Sequence, residues 1–106
     1  MTVKKFDNFD EENNKWIIYH GLGGGFGGAR SSEAFEGTKD EAETESWNKA
    51  CEDYDRYAGL HGLRSISDIM EEKPIQASRW LDYWVVPYNE EGIREAKNKT
   101  NFTDLK

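Results

Sequence analysis

The chain is poor in the residues that staple or punctuate a fold. Cys51 is its one cysteine, so no intramolecular disulfide can form and a cysteine-rich zinc site is excluded. Only two histidines, His20 and His61, are available for acid–base chemistry, and their spacing relative to Cys51 is not that of a zinc site. No apolar run approaches the length of a membrane span, and Met1-Thr2-Val3-Lys4-Lys5-Phe6 lacks the apolar core of a signal peptide. A cytoplasmic location is therefore expected. Basic charge is short as well: 14 Lys and Arg face 21 Asp and Glu, a formal charge of −7. That balance disfavours direct binding to a nucleic-acid backbone or an anionic membrane surface. It suits a basic partner, or simply solubility.

What is present is enough for one ordered domain. At 106 residues with four Trp, five Tyr and five Phe, the chain can bury a modest core without metal or disulfide support. We expect an N-terminal arm over 1–13, a single α+β domain over 14–90 and a polar tail over 91–106, with a terminal helical turn at Glu90 to Lys97 and a frayed end after it. Trp16-Ile17-Ile18-Tyr19 reads as a strand, and residues 29–37 as a second strand antiparallel to it. Thr38 and Glu41 form a Ser/Thr-x-x-Glu capping box for a helix over 38–58. Its apolar face is Trp47, Ala50, Cys51, Tyr54 and Ala58, with Gly59 as the stop. A short helix holding Ile66, Ile69 and Met70 should end before Pro74. Residues 79–88 read as a third strand closed by Pro87. The expected order is β-β-α-α-β: about three antiparallel strands, the third beside the first, with the long helix laid across one face.

The most unusual stretch is Gly21-Leu22-Gly23-Gly24-Gly25-Phe26-Gly27-Gly28, six glycines in eight residues. It formally contains G-x-G-x-x-G, but no helix opens directly after it and no βαβ unit follows, so a dinucleotide site is rejected. The phosphate loop of the nucleotide triphosphatases fails too, because no Gly-Lys-Ser/Thr occurs. Two readings remain: a glycine-rich hairpin connection, or consecutive amides that form an anion-binding concavity. The second gives a candidate ligand site of Gly23, Gly24, Gly25 and Phe26 with Arg30, His61 and Arg64. A hydrolase using His20 or His61 is the weakest reading, since each imidazole can equally serve its own loop backbone. Cys51 lies on the apolar helix face, an unsuitable place for a nucleophile.

Carboxylates crowd the long helix. Glu41, Glu45, Glu52 and Asp55 either form a solvated face or present a charge array to a basic groove, where they would occupy positions that phosphates take. Trp80, Tyr83, Trp84 and Tyr88 cannot all face the helix from one strand, so an aromatic such as Trp84 is expected to remain exposed as an interface anchor.

The segments at 17–29, 57–64 (Tyr-Ala-Gly-Leu-His-Gly-Leu-Arg) and 80–84 (Trp-Leu-Asp-Tyr-Trp) together resemble small acidic proteins of tailed bacteriophages. The resemblance covers most of residues 16–88 and implies host takeover or counter-defence in the host bacterial cytoplasm. The expectation is a non-enzymatic protein, without cofactor or metal, that inhibits a host protein, including one that binds nucleic acid. The acidic helix and Trp84 would be its interface. The alternative is a protein that binds or sequesters a nucleotide or other anion at the glycine loop.

Overall fold

The computed structural model describes residues 14–23 and 28–105. The expected arm over 1–13 and the loop centre, Gly24, Gly25, Phe26 and Gly27, lie outside the described residues. In chain order the elements are β1 (Lys15–Leu22), β2 (Gly28–Glu36), α1 (Lys39–His61), α2 (Ile66–Glu72), α3 (Pro74–Arg79), β3 (Leu81–Pro87), α4 (Glu90–Lys99) and β4 (Asn101–Thr103). The strands form one mixed sheet in the order β3-β1-β2-β4. β1 pairs antiparallel to both β2 and β3, and β4 runs parallel to β2. The class is α+β as expected, with β3 beside β1, but the sheet has a fourth strand and is not purely antiparallel.

β1 is the buried spine, and alternation divides its side chains between two helices. Trp16 and Ile18 pack with Ala42 of α1, Phe35 and Val85. Ile17 and Tyr19 point the other way and pack with Ala96 and Ile93 of α4, Val86 and Phe102. Residues 16–21 are buried throughout, so the pattern reads as a continuous apolar run rather than a one-sided strand.

α1 sits on the sheet through an unbroken i+4 line: Ala42, Ser46, Ala50, Tyr54 and Ala58 are its buried residues. Small side chains along this line let the helix axis approach the strands closely. Ser46 is tolerated there because its hydroxyl donates to the Tyr19 carbonyl at 2.6 Å. A second, contiguous core forms where Ala50, Tyr54 and Ala58 meet Ile66, Ile69, Ala77 and Leu81. At the N-terminus the capping box is complete: the Glu41 amide donates to Thr38 Oγ1 and the Thr38 amide to Glu41 Oε1.

Three boundaries differ from the sequence reading. α1 runs through Gly59 to His61, and Gly62 at φ 67° makes the left-handed cap. Pro74 ends α2 but also opens α3, since the first turn of a helix needs no amide donor. The expected terminal turn lengthens into α4, capped by Asn89 Oδ1 on the Gly92 amide at 2.7 Å, and the end expected to fray holds β4. β4 offers only Phe102 as an apolar residue, too little alternation over three residues to read as a strand. Thr100 ties it down by accepting from or donating to Ser32 on β2.

The two glycines at the end of α1 should respond oppositely to alanine. An added Cβ at Gly59 meets nothing within 4 Å, so Gly59→Ala should stabilise the protein by about 0.5–1 kcal/mol. Gly62→Ala should destabilise it by about 1 kcal/mol through its left-handed backbone. Urea denaturation of the two variants measures both signs.

Candidate functional site

A cleft of about 420 Å³ lies between the turn end of the β1–β2 hairpin and the C-terminal half of α1. Its strand side carries His20, Leu22, Gly28 and Arg30, and its helix side Asp53, Arg56, Tyr57 and Leu60. The helix residues recur at i, i+3, i+4 and i+7, a line flanking the buried one, so one seating of α1 presents all four.

A bulge aims Arg30. His20 pairs with Ser31 and Gly21 with Ala29, which leaves Arg30 as the extra residue of β2. Bulged residues drop out of the alternation and are redirected. Gly21 is needed because a Cβ there would lie 2.6 Å from the Ala29 Cα. Asp82 on β3 is opposite Gly21, and across this bare position its carboxylate accepts from the Ala29 amide at 3.1 Å. Asp82 thus satisfies a donor that the bulge takes out of the ladder.

His20 is buried, with only 8 % of its surface exposed. Its Nδ1 lies 2.6 Å from Asp53 Oδ2, and its Nε2 faces Glu33 Oε1 at 4.0 Å. Arg56 reaches the other Asp53 oxygen at 3.3 Å, and Lys49 reaches Glu33 at 3.6 Å. A chain of alternating groups, Lys49–Glu33–His20–Asp53–Arg56, therefore ties β2, β1 and α1 together at the cleft floor. Asp53 fixes the ring through Nδ1, whereas Nε2 stands beyond hydrogen-bond distance of Glu33. Among the described residues Arg30 has no ion-pair partner and is exposed at the rim.

The structure divides the sequence-derived candidate ligand site. Arg30 lines the cleft, but Gly23 does not: its amide donates to the Trp80 carbonyl at 3.0 Å. Gly24, Gly25 and Phe26 lie outside the described residues. His61 and Arg64 do not line this cleft. Because α1 continues to His61, they fall beyond it: His61 packs its ring on Tyr57 at 4.4 Å, and Arg64 forks onto Glu72 at 2.8 and 3.1 Å. That pairing holds the Glu72 carboxyl below its ordinary range.

The candidate partner surface is divided too. Glu41, Glu45, Glu52 and Asp55 recur at helical spacings that place them on the outward line of α1. Glu41 serves the cap, and Asp55 accepts from the Ile66 amide at 2.8 Å, fixing the start of α2. Trp84 lies on the opposite face of the sheet, stacked on Tyr19 with centroids 4.5 Å apart. Alternation along β1 and β3 puts it on the α4 side, so the five residues do not form one surface. Cys51 is half-buried against the core, and burial, then Asp55 and Glu52, push its thiol pKa up. Thiolate is correspondingly scarce at neutral pH.

Asp53, Arg56, Tyr57 and Leu60 were not singled out as a site from sequence, although Asp53 was visible within the acidic run. Their signal was a second i, i+3, i+4, i+7 line of mixed polarity beside the apolar one. Among the described residues no cluster of His, Cys, Asp and Glu is arranged to hold a metal ion. No described helix is long and apolar enough to cross a membrane. No family model matches the chain, and neither the curated proteins nor the solved structures contain a match to it.

Asp53 joins the His20 imidazole and the Arg56 guanidinium at the junction of helix and sheet. Asp53→Ala should lower stability by about 1–3 kcal/mol, the cost of orphaning a buried partner. A fall in the urea midpoint at unchanged slope is the expected result.

Proposed function

We propose that the protein is a non-enzymatic binder of a small organic anion, held in the cleft between the β1–β2 hairpin and α1. The observation that carries this reading is Arg30, redirected by the bulge onto a cleft whose opposite wall holds Arg56. A guanidinium without an ion partner among the described residues suits a guest carboxylate or phosphate, which it can grip with two parallel hydrogen bonds. Leu22, Tyr57 and Leu60 offer apolar surface for the remainder of such a ligand. The volume falls within the range of about 300–1,000 Å³ typical of small-molecule sites. A nucleotide satisfies these demands, combining phosphate with a ring that can lie on Tyr57.

A second reading, inhibition of a host bacterial protein in its cytoplasm by a phage protein, draws on the outward line of Glu41, Glu45, Glu52 and Asp55. It requires that the interface use α1 without Trp84. A Glu45→Lys, Glu52→Lys chain that captured the same host protein as the wild type, with equal resistance to salt, would remove it.

The primary test is thermal denaturation with mononucleotides and simple organic phosphates and carboxylates. A binder should raise the melting temperature in proportion to its affinity. Arg30→Ala and Arg56→Ala should each weaken that ligand by about ten- to a hundredfold, the worth of a charged hydrogen bond. A melting temperature indifferent to every anion, or one still raised in the Arg30→Ala, Arg56→Ala double variant, counts against the cleft.

A further inference from the structure

On the face of the sheet away from that cleft, a groove of about 250 Å³ runs between β3 and α4. One wall is Trp84 with Tyr19, and the other carries Glu91, Glu95 and Lys99, three residues four apart on α4. Gly92 lines the groove without a side chain to fill it. We propose that this groove receives an arginine side chain from a basic partner protein, stacked on Trp84 and paired with Glu91 and Glu95.

The argument begins with the sheet order. Among the described residues β3 is an edge strand, so the Trp84 indole has Tyr19 on one side, nearly parallel at 10°, and no further described strand on the other. Trp84 remains 42 % exposed although it belongs to a strand whose neighbour is fully buried. An indole face is an electron-rich surface that attracts cations, and a planar guanidinium can lie flat on it. The carboxylates across the groove supply the complementary charge. Glu95 already holds a cation there, the Lys99 ammonium at 2.6 Å, and this pair keeps the Glu95 carboxyl below its ordinary range. Lys99 is itself 63 % exposed at its side chain, so it can swing away. It occupies the position that the guest would take.

Three features favour arginine from a partner protein. A net acidic protein attracts basic surfaces. The groove has room for one long side chain rather than a large metabolite. β3 also has an outer edge beside which an extended segment can lie, bringing its side chains over Trp84. Trp84 then acts as the exposed aromatic anchor, but its acidic partners come from α4 rather than from α1.

The test is an NMR titration of the full chain with acetyl-Gly-Arg-Gly-amide, its lysine counterpart and tetramethylammonium. The arginine peptide should shift the Trp84 indole and the α4 amides around Glu95 saturably, and more tightly than either other probe. Lys99→Gln should tighten binding by about two- to fivefold by removing the competing exposed ion pair. Glu91→Gln with Glu95→Gln should weaken it by about tenfold, and Trp84→Leu should abolish it. The Gln variants alter only exposed or rim groups, so they test the idea even where Trp84→Leu weakens the fold. Shifts confined to other regions, equal response to tetramethylammonium, or unchanged affinity in both the Lys99 and the Glu variants would overturn the assignment.

Discussion

The seating of α1 on β1 is the contact on which the rest of the structure depends. It rests on a line of Ala42, Ser46, Ala50 and Ala58 whose small side chains bring the helix close, and on one hydroxyl, that of Ser46, which reaches the Tyr19 carbonyl. Close approach leaves little freedom in rotation, because turning the helix would push charged flanking residues against the strand. The flank on the hairpin side is therefore fixed as well. It delivers Asp53 to His20, and sets Arg56, Tyr57 and Leu60 above the end of the hairpin. A cleft follows from packing that has its own reasons to exist.

The bulge in the hairpin is the second constraint, and it works through what is missing. Gly21 has no side chain, so Ala29 can come close, the register can slip, and Asp82 can reach over from the next strand. Three strands thus cooperate to turn Arg30 out of the alternation. The two ends of the glycine stretch have structural work of this kind: Gly21 at the close approach, and Gly28 at φ 89° where β2 begins.

Much of the scaffold was legible in the sequence because its signals are local. The Thr38–Glu41 box, the apolar periodicity from Trp47 to Ala58 and the β-branched run at Trp16–Tyr19 each depend on neighbours a few residues away. The helix stop was misplaced because Gly59 and Gly62 are equally good candidates by type. Only tertiary packing of Ala58 and the backbone angle at Gly62 decide between them. The last strand was illegible for a different reason: β4 is three residues long and is held by a partner strand far away in sequence, so it shows no periodicity of its own, whereas α4 carries a local helical signal. The cleft was half legible: Arg30 and the glycines draw attention, while Asp53, Arg56 and Tyr57 were hidden among charged residues on a helix judged by its apolar face. His61 and Arg64 do not line the cleft, because α1 continues to His61 and Arg64 pairs with Glu72.

The parallel pairing of β2 with β4 has a kinetic consequence. Ser31 to Glu33 find their partners at Asn101 to Thr103, with the whole of α1, both short helices, β3 and α4 lying between. During synthesis the β1–β2 hairpin and α1 leave the ribosome long before that strand exists. The nascent sheet must wait with one flank of β2 open, a template for pairing with another chain. Closing so distant a pair is entropically slow. The flank of β2 is thus most exposed to misassociation after the core has the means to form and before β4 arrives to cover it.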